Sequence, residues 1–183
     1  SLQFRYRKFM RRTLTGSLVV LIAVSYLVQL LVPGYEEKMA LNRILVDSGD
    51  YYRLATVALV HGGFLHLGFN LYALYVLGLP VEAYFGRFRY VLILAASLLG
   101  GSLLSIYMNP INVFSIGASG MIFGLFASLA LIGKRVGVEW RSILVVVGIN
   151  FALGFMIGGV DWHGHIGGLI GGTLATLVLN GTK

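Results

Sequence analysis

The stretch "SIGASGMIFGLFASLALIGKR", residues 115–135, decides the fold. Its apolar part, 117–133, carries no charge, and Lys134 and Arg135 close it as basic residues close a segment that stops at a membrane surface. A hydrocarbon core of about 30 Å takes about 20 apolar residues as a helix. Comparable runs occur at 14–32, 62–79, 90–108, 141–159 and 164–180. Charged residues make up 11% of the chain, against about 25% in a soluble domain, and mean hydropathy is +0.85. These observations predict an all-α polytopic membrane protein, one bundle of six transmembrane helices forming a single domain over residues 1–183. The first run has no small-residue cleavage site of the usual form and reads as a true span.

Charge placement tests that count. With the N-terminal "RYRKFMRR" (residues 5–12) on the cytoplasmic side, six spans put 11 of the 14 Lys and Arg there and leave Lys38, Arg43 and Arg53 outside. Five or seven spans spoil the separation, so the positive-inside rule supports six helices with both termini cytoplasmic. The net charge of +7 is then a topology signal, and no nucleic-acid partner is expected. With no cysteine, thiolate chemistry is excluded.

The same topology gathers the polar residues. His61, His66 and Asn70 fall at the outer end of the second run, Ser119 at the outer start of the fourth, and His163 and His165 at the outer start of the sixth. Polar groups at membrane depth are costly; they glue helices together or mark a site. Each motif also has a packing reading. His66 and Asn70, one turn apart in "HLGFN", suit an interhelical hydrogen bond, and Gly120 with Gly124 in "GASGMIFG" has the small-xxx-small spacing of close helix contact. Gly168 and Gly172 in "HIGGLIGG" lie on the face of His165, three and seven residues after it. If those two glycine faces meet, His165 comes to Ser119. A neutral imidazole within hydrogen-bond reach can then take the serine proton, while His66, Asn70 and the Ser119 backbone N–H offer donors to an oxyanion.

"HLGFN" (66–70), "GASG" (117–120) and "HIGGLIGG" (165–172), with "VEAYFGRFRY" (81–90) and Arg53 eight residues before His61, give the chain a resemblance to rhomboid intramembrane serine proteases over roughly residues 50 to 175. Met121 breaks the GxSxG elbow of soluble hydrolases. The resemblance implies a Ser119–His165 dyad, with Ser119 as nucleophile and His165 as general base and then acid. It implies an oxyanion hole from His66, Asn70 and the Ser119 backbone, with Ala118 beside it at the substrate. His61, Gly117 and Phe123 would support the site, and Gly168 and Gly172 would seat the sixth helix on the fourth. The partners it implies are transmembrane protein substrates within the lipid bilayer, cut near the outer face. It implies no metal or cofactor, and it assigns no oligomeric state.

Three departures accompany the likeness. Phe123 stands where the family often has Tyr, Tyr52-Arg53 where it often has Trp-Arg, and His163 is a second histidine that cannot share the face of His165 and reads as a loop residue. Asp161, four residues before His165, reads as a helix cap facing water rather than the third member of a triad. The long segment from Gly34 to Val60 reads as a rim or lid partly in the interface. Two rival functions remain: a small channel or transporter, and a catalytically silent binder of transmembrane helices.

Overall fold

The computed structural model describes residues 13–157 and 160–182, without the side chains of residues 153, 155 and 157. The basic N-terminal run lies outside these. Six long helices carry the architecture: α1 (Leu14–Leu31), α5 (Phe64–Phe85), α6 (Arg87–Met108), α7 (Ser119–Val136), α8 (Trp140–Ile157) and α9 (Trp162–Gly181). Between α1 and α5 the chain forms α2 (Tyr35–Met39), β1 (Leu41–Asn42), α3 (Arg43–Asp47), α4 (Arg53–Thr56) and a 3-10 turn at Val57–Leu59; β2 (Phe114–Ser115) precedes α7. α1, α5, α6 and α7 are each long and apolar enough to cross a membrane. α9 has the length, but the glycines and histidines of its first turns dilute its hydropathy. The protein is an integral membrane protein of helical, polytopic type.

Exposed apolar side chains follow from that solvent. Val20, Leu21, Val24, Leu27 and Leu31 of α1 and Leu174, Leu177 and Val178 of α9 point outward, where lipid tails replace water. Inside, Leu74, Leu77, Ile93, Leu125, Leu129 and Ile132 are fully buried and fill one half of the bundle.

Pro80 marks the clearest difference from expectation. The second apolar run stops at 79 in the sequence because proline removes a backbone donor, yet α5 continues through it to Phe85. Membrane helices tolerate such a residue where surrounding structure accommodates the freed backbone groups. α5 then ends at Gly86, whose φ of +78° lets a single residue join it to α6.

The extra turns of α5 have a use. Buried Glu82 accepts hydrogen bonds from Leu14 N–H (2.8 Å), Thr15 N–H (2.9 Å) and the Thr15 hydroxyl (2.7 Å), and the Thr15 oxygen in turn accepts from the Tyr90 hydroxyl (2.8 Å). A carboxylate there satisfies orphan donors of the first turn of α1 and matches its positive dipole end. Glu82→Ala is expected to cost about 2–3 kcal/mol by leaving those donors without a partner. A melting-temperature fall of several degrees, with a smaller one for Glu82→Gln, checks it.

The rim segment is tied down. Leu41 pairs with Ser115 and Asn42 with Phe114 in an antiparallel register, and the Asn42 carboxamide donates to the Val113 carbonyl (3.1 Å). Arg53 is not an interfacial residue: it is 5% exposed and donates to the carbonyls of Glu37 (2.7 Å) and Ala40 (2.8 Å) and to the Asp50 carboxylate (3.0 Å). Two of those partners are backbone oxygens, which the sequence cannot show. Tyr52 stays exposed, with the Arg53 guanidinium 5.3 Å from its ring centre.

Candidate active site

Three helices meet through glycine. A Cβ built on Gly168 would collide with the carbonyl oxygen of Gly120, and one on Gly172 with the backbone of Gly124, so α9 lies directly against α7 on the face the spacing predicts. The opposite pair, Gly167 and Gly171, lies equally close to the backbones of Gly100 and Ala96 on α6. That second seam is absent from the sequence reading. α9 therefore sits between two helices with its own glycines at both contacts.

The seams bring Ser119 and His165 to the wall of one cavity of about 280 Å³, at the end of the bundle where α5, α7 and α9 begin. His66, Asn70, Phe123 and Asp161 also line it, so residues from three separate sequence motifs converge, with Asp161 beside them. Ser119 is the first residue of α7, and its N–H is one of the donors a helix start leaves without an intrahelical partner. The His165 ring is buried and lies flat on Phe123, with centroids 4.2 Å apart and planes 14° from parallel. Among the described residues no hydrogen bond joins Ser119 to His165, and His165 Nδ1 is buried without a partner. Catalytic hydrogen bonds are often long in unliganded proteins and tighten on the substrate.

Each remaining candidate is held by identifiable contacts. The Gly62 N–H donates to His66 Nδ1 (3.1 Å), so in the neutral ring the proton is on Nε2, beside Gly117. Gly117 takes a φ of +112°, and a Cβ there would stand 2.9 Å from His66 Cε1; both conditions call for glycine. Its N–H donates to the Val57 carbonyl (2.9 Å). The Asn70 amide donates one hydrogen to the His66 carbonyl (2.8 Å), while its Oδ1 is buried without a partner among the described residues. Ala118 gives its N–H to His61 Nε2 (3.3 Å) and so has none to offer an oxyanion. Burial, and secondarily the charge of His66, push the His61 pKa down to about 3, which keeps that ring neutral and its Nε2 an acceptor. His61 thus braces the turn that presents Ser119.

Asp161 is the N-cap of α9. Its carboxylate accepts from Gly164 N–H (2.9 Å), from the Asn109 amide (2.8 Å) and from the Ser105 hydroxyl, and it makes no hydrogen bond to His165. His163 lies in the first turn of α9 rather than in a loop, and its Nδ1 meets Asn109 Oδ1 at 2.6 Å. The helix starts two residues earlier than the apolar run because capping fixes its start. Asn150 of α8 also lines the cavity and went unassigned from sequence; it is the single strongly polar residue between Ile143 and Ile157.

Comparison with known proteins gives the chain a family. The family model described as the Rhomboid domain matches residues 48–181. The chain is 39% identical over 140 residues to "Rhomboid protease GluP" of Bacillus subtilis (strain 168), which covers 74% of this chain and 27% of that protein. It is 32% identical over 156 residues to "RHOMBOID-like protein 5" of Arabidopsis thaliana, covering 81% of this chain and 50% of that one. With "RHOMBOID-like protein 2" of the same plant it shares 34% over 144 residues, covering 75% and 45%. The chain thus spans a quarter to a half of the length of these relatives. By the extent of the matched model and the identity to these proteins, the chain belongs to the rhomboid family.

Proposed function

We propose that the chain is an intramembrane serine endopeptidase that cuts transmembrane segments of other membrane proteins near the outer face, using Ser119 and His165 as a dyad. The observation that carries this reading is the convergence of Ser119, His165, His66 and Asn70 on one cavity at one end of the bundle. The orientation, with both termini cytoplasmic and the cavity toward the outer face, rests on the separation of 11 basic residues from 3. The six-span count rests on the same separation.

The chemistry follows from the contacts. With Nδ1 of His165 sealed off, Nε2 takes the Ser119 proton as Oγ attacks the scissile carbonyl. The developing oxyanion meets the His66 Nε2–H, the free N–H of the Asn70 amide and the Ser119 backbone N–H, donors already in place before reaction. The imidazolium returns its proton to the leaving amine, and the acyl-enzyme forms. A water entering past Gly62 and Phe114 then gives a proton to the same nitrogen and attacks, and that proton passes to Oγ as the acyl–oxygen bond breaks, releasing the acid and free Ser119. The substrate must unwind first, because the peptide groups of an intact helix are bonded to one another.

A dyad needs something besides a carboxylate to orient the imidazole, and the stacked Phe123 can do so without charge. Asp161→Asn is therefore expected to hold activity within a fewfold, since a carboxamide can still accept from Gly164 and Asn109. Phe123→Ala is expected to lose about tenfold or more, a misplacement cost. In a Ser-His-Asp triad the Asn change costs about 10⁴, so steady-state rates of the two variants separate the mechanisms.

The channel reading is disfavoured by the fully buried Leu74, Leu77, Leu125, Leu129 and Ile132, which fill the bundle away from the cavity. A silent binder and a protease differ in one test. Purified protein in vesicles is offered single-pass substrates and a fluorophosphonate. Cleavage and labelling at Ser119 support the protease; binding with neither overturns it.

A further inference from the structure

We infer that Asn150 is a substrate-positioning residue, whose carboxamide pairs with a peptide group of the unwound segment in the cavity. The inference rests on the protease reading above. Asn150 sits on α8 where two hollows join: it lines the 280 Å³ cavity with Ser119 and His165, and also the narrow apolar crevice between α5, α7 and α8 that Ala73, Leu77, Phe126 and Val146 close off.

A polar side chain in a membrane helix demands a reason. Helix glue is the ordinary one, and it fails here: among the described residues the one hydrogen bond of Asn150 is from Nδ2 to the Val146 carbonyl of its own helix (2.9 Å). That bond uses one amide hydrogen. The second N–H and both lone pairs of Oδ1 have no partner among the described residues, and the half-buried residue lines the cavity. The free set is one donor and one acceptor, the same set that a peptide group loses when a helix unwinds.

The need for such a group is physical. An unwound turn in a water-poor cavity exposes peptide N–H and C=O groups, each costly without a partner. His66, the free Asn70 N–H and the Ser119 N–H are donors aimed at an oxyanion, and the one spare acceptor beside them, Asn70 Oδ1, is buried. Asn150 supplies an acceptor as well, from a different helix, and can therefore hold a peptide N–H that the oxyanion donors cannot.

The test uses the full chain in vesicles with three variants, Asn150→Leu, Asn150→Gln and Ser119→Ala. Cleavage of a transmembrane substrate is read against labelling of Ser119 by a small fluorophosphonate, which has no segment to unwind. The expected result for Asn150→Leu is a fall of about tenfold in kcat/KM, in line with one lost hydrogen bond, with labelling reduced less than threefold. Asn150→Gln should recover most of the cleavage. Equal cleavage by Asn150→Leu and wild type overturns the inference, as does a parallel collapse of labelling or a failure of Gln to do better than Leu. Wild-type protein that neither labels nor cleaves removes the protease reading itself, and the inference with it, before any Asn150 variant is compared.

Discussion

Ser119→Ala and His165→Ala are expected to fold, insert and bind substrate while cleaving nothing measurable. Ser119 is half-exposed at the first position of α7 and makes no side-chain hydrogen bond among the described residues, so removing its oxygen leaves no orphaned partner. Alanine is also as compatible with a helix start packed against glycine as serine is. His165 loses more, since its ring is stacked on Phe123, but its Nδ1 has no partner to lose. The chemical loss, by contrast, is large. In serine proteases the removal of nucleophile or base lowers turnover by about 10⁶, far beyond any effect of packing. Unchanged melting temperatures together with absent cleavage support the dyad. Wild-type rates in purified Ser119→Ala would sink it.

Gly168→Val carries the second largest effect, and it acts without touching a reacting atom. The nearest obstacle to a new Cβ is the carbonyl of Gly120, a backbone group directly after Ser119. A flexible side chain could swing away; a backbone cannot, so α9 must move off α7 and take His165 with it. Overpacking of this kind costs about 1–3 kcal/mol or more, and a displacement of about 1 Å at a site can cost on the order of a hundredfold in rate. Gly172→Val meets the backbone of Gly124 in the same way. Gly148 of α8 has nothing within 4 Å of its Cβ position, and Gly148→Ala is the matched control expected to retain activity. Melting temperature and cleavage should fall together in the two valine variants. If Gly168→Val is fully active, the seam between α7 and α9 is misplaced.

What the sequence discloses and what it hides divide along a physical line. Features written as long repeats of residue type are readable: the apolar runs that become α1, α6 and α7, and the Gly120/Gly124 and Gly168/Gly172 spacings that join α7 to α9. Once those glycine faces are paired, the meeting of Ser119 and His165 at one level follows. The other seam of α9 is equally glycine-based, but "LLGGSLL" at 98–104 offers adjacent glycines, Gly100 and Gly101, instead of a spaced motif, and its partner face is chosen only in three dimensions. The rim hides more. Helices of four or five residues have no periodicity to detect, and Arg53 and Asn42 are held by carbonyl oxygens, which every residue possesses. Asn150 was visible as the odd polar residue in an apolar run, yet only its place beside the cavity gives that oddity a meaning.

On the proposed mechanism, the way α9 is seated bears on when the dyad is assembled during synthesis of the chain. Gly167 and Gly171 need α6 in place, and Gly168 and Gly172 need α7, so the last of the long helices can dock only into a slot that earlier helices have already formed. Until it does, a nascent chain carries its serine, its oxyanion donors and its stacking ring, but not its base. On the proposed mechanism such a chain is inert toward the unassembled transmembrane segments that crowd an insertion site, and docking of α9 supplies the base.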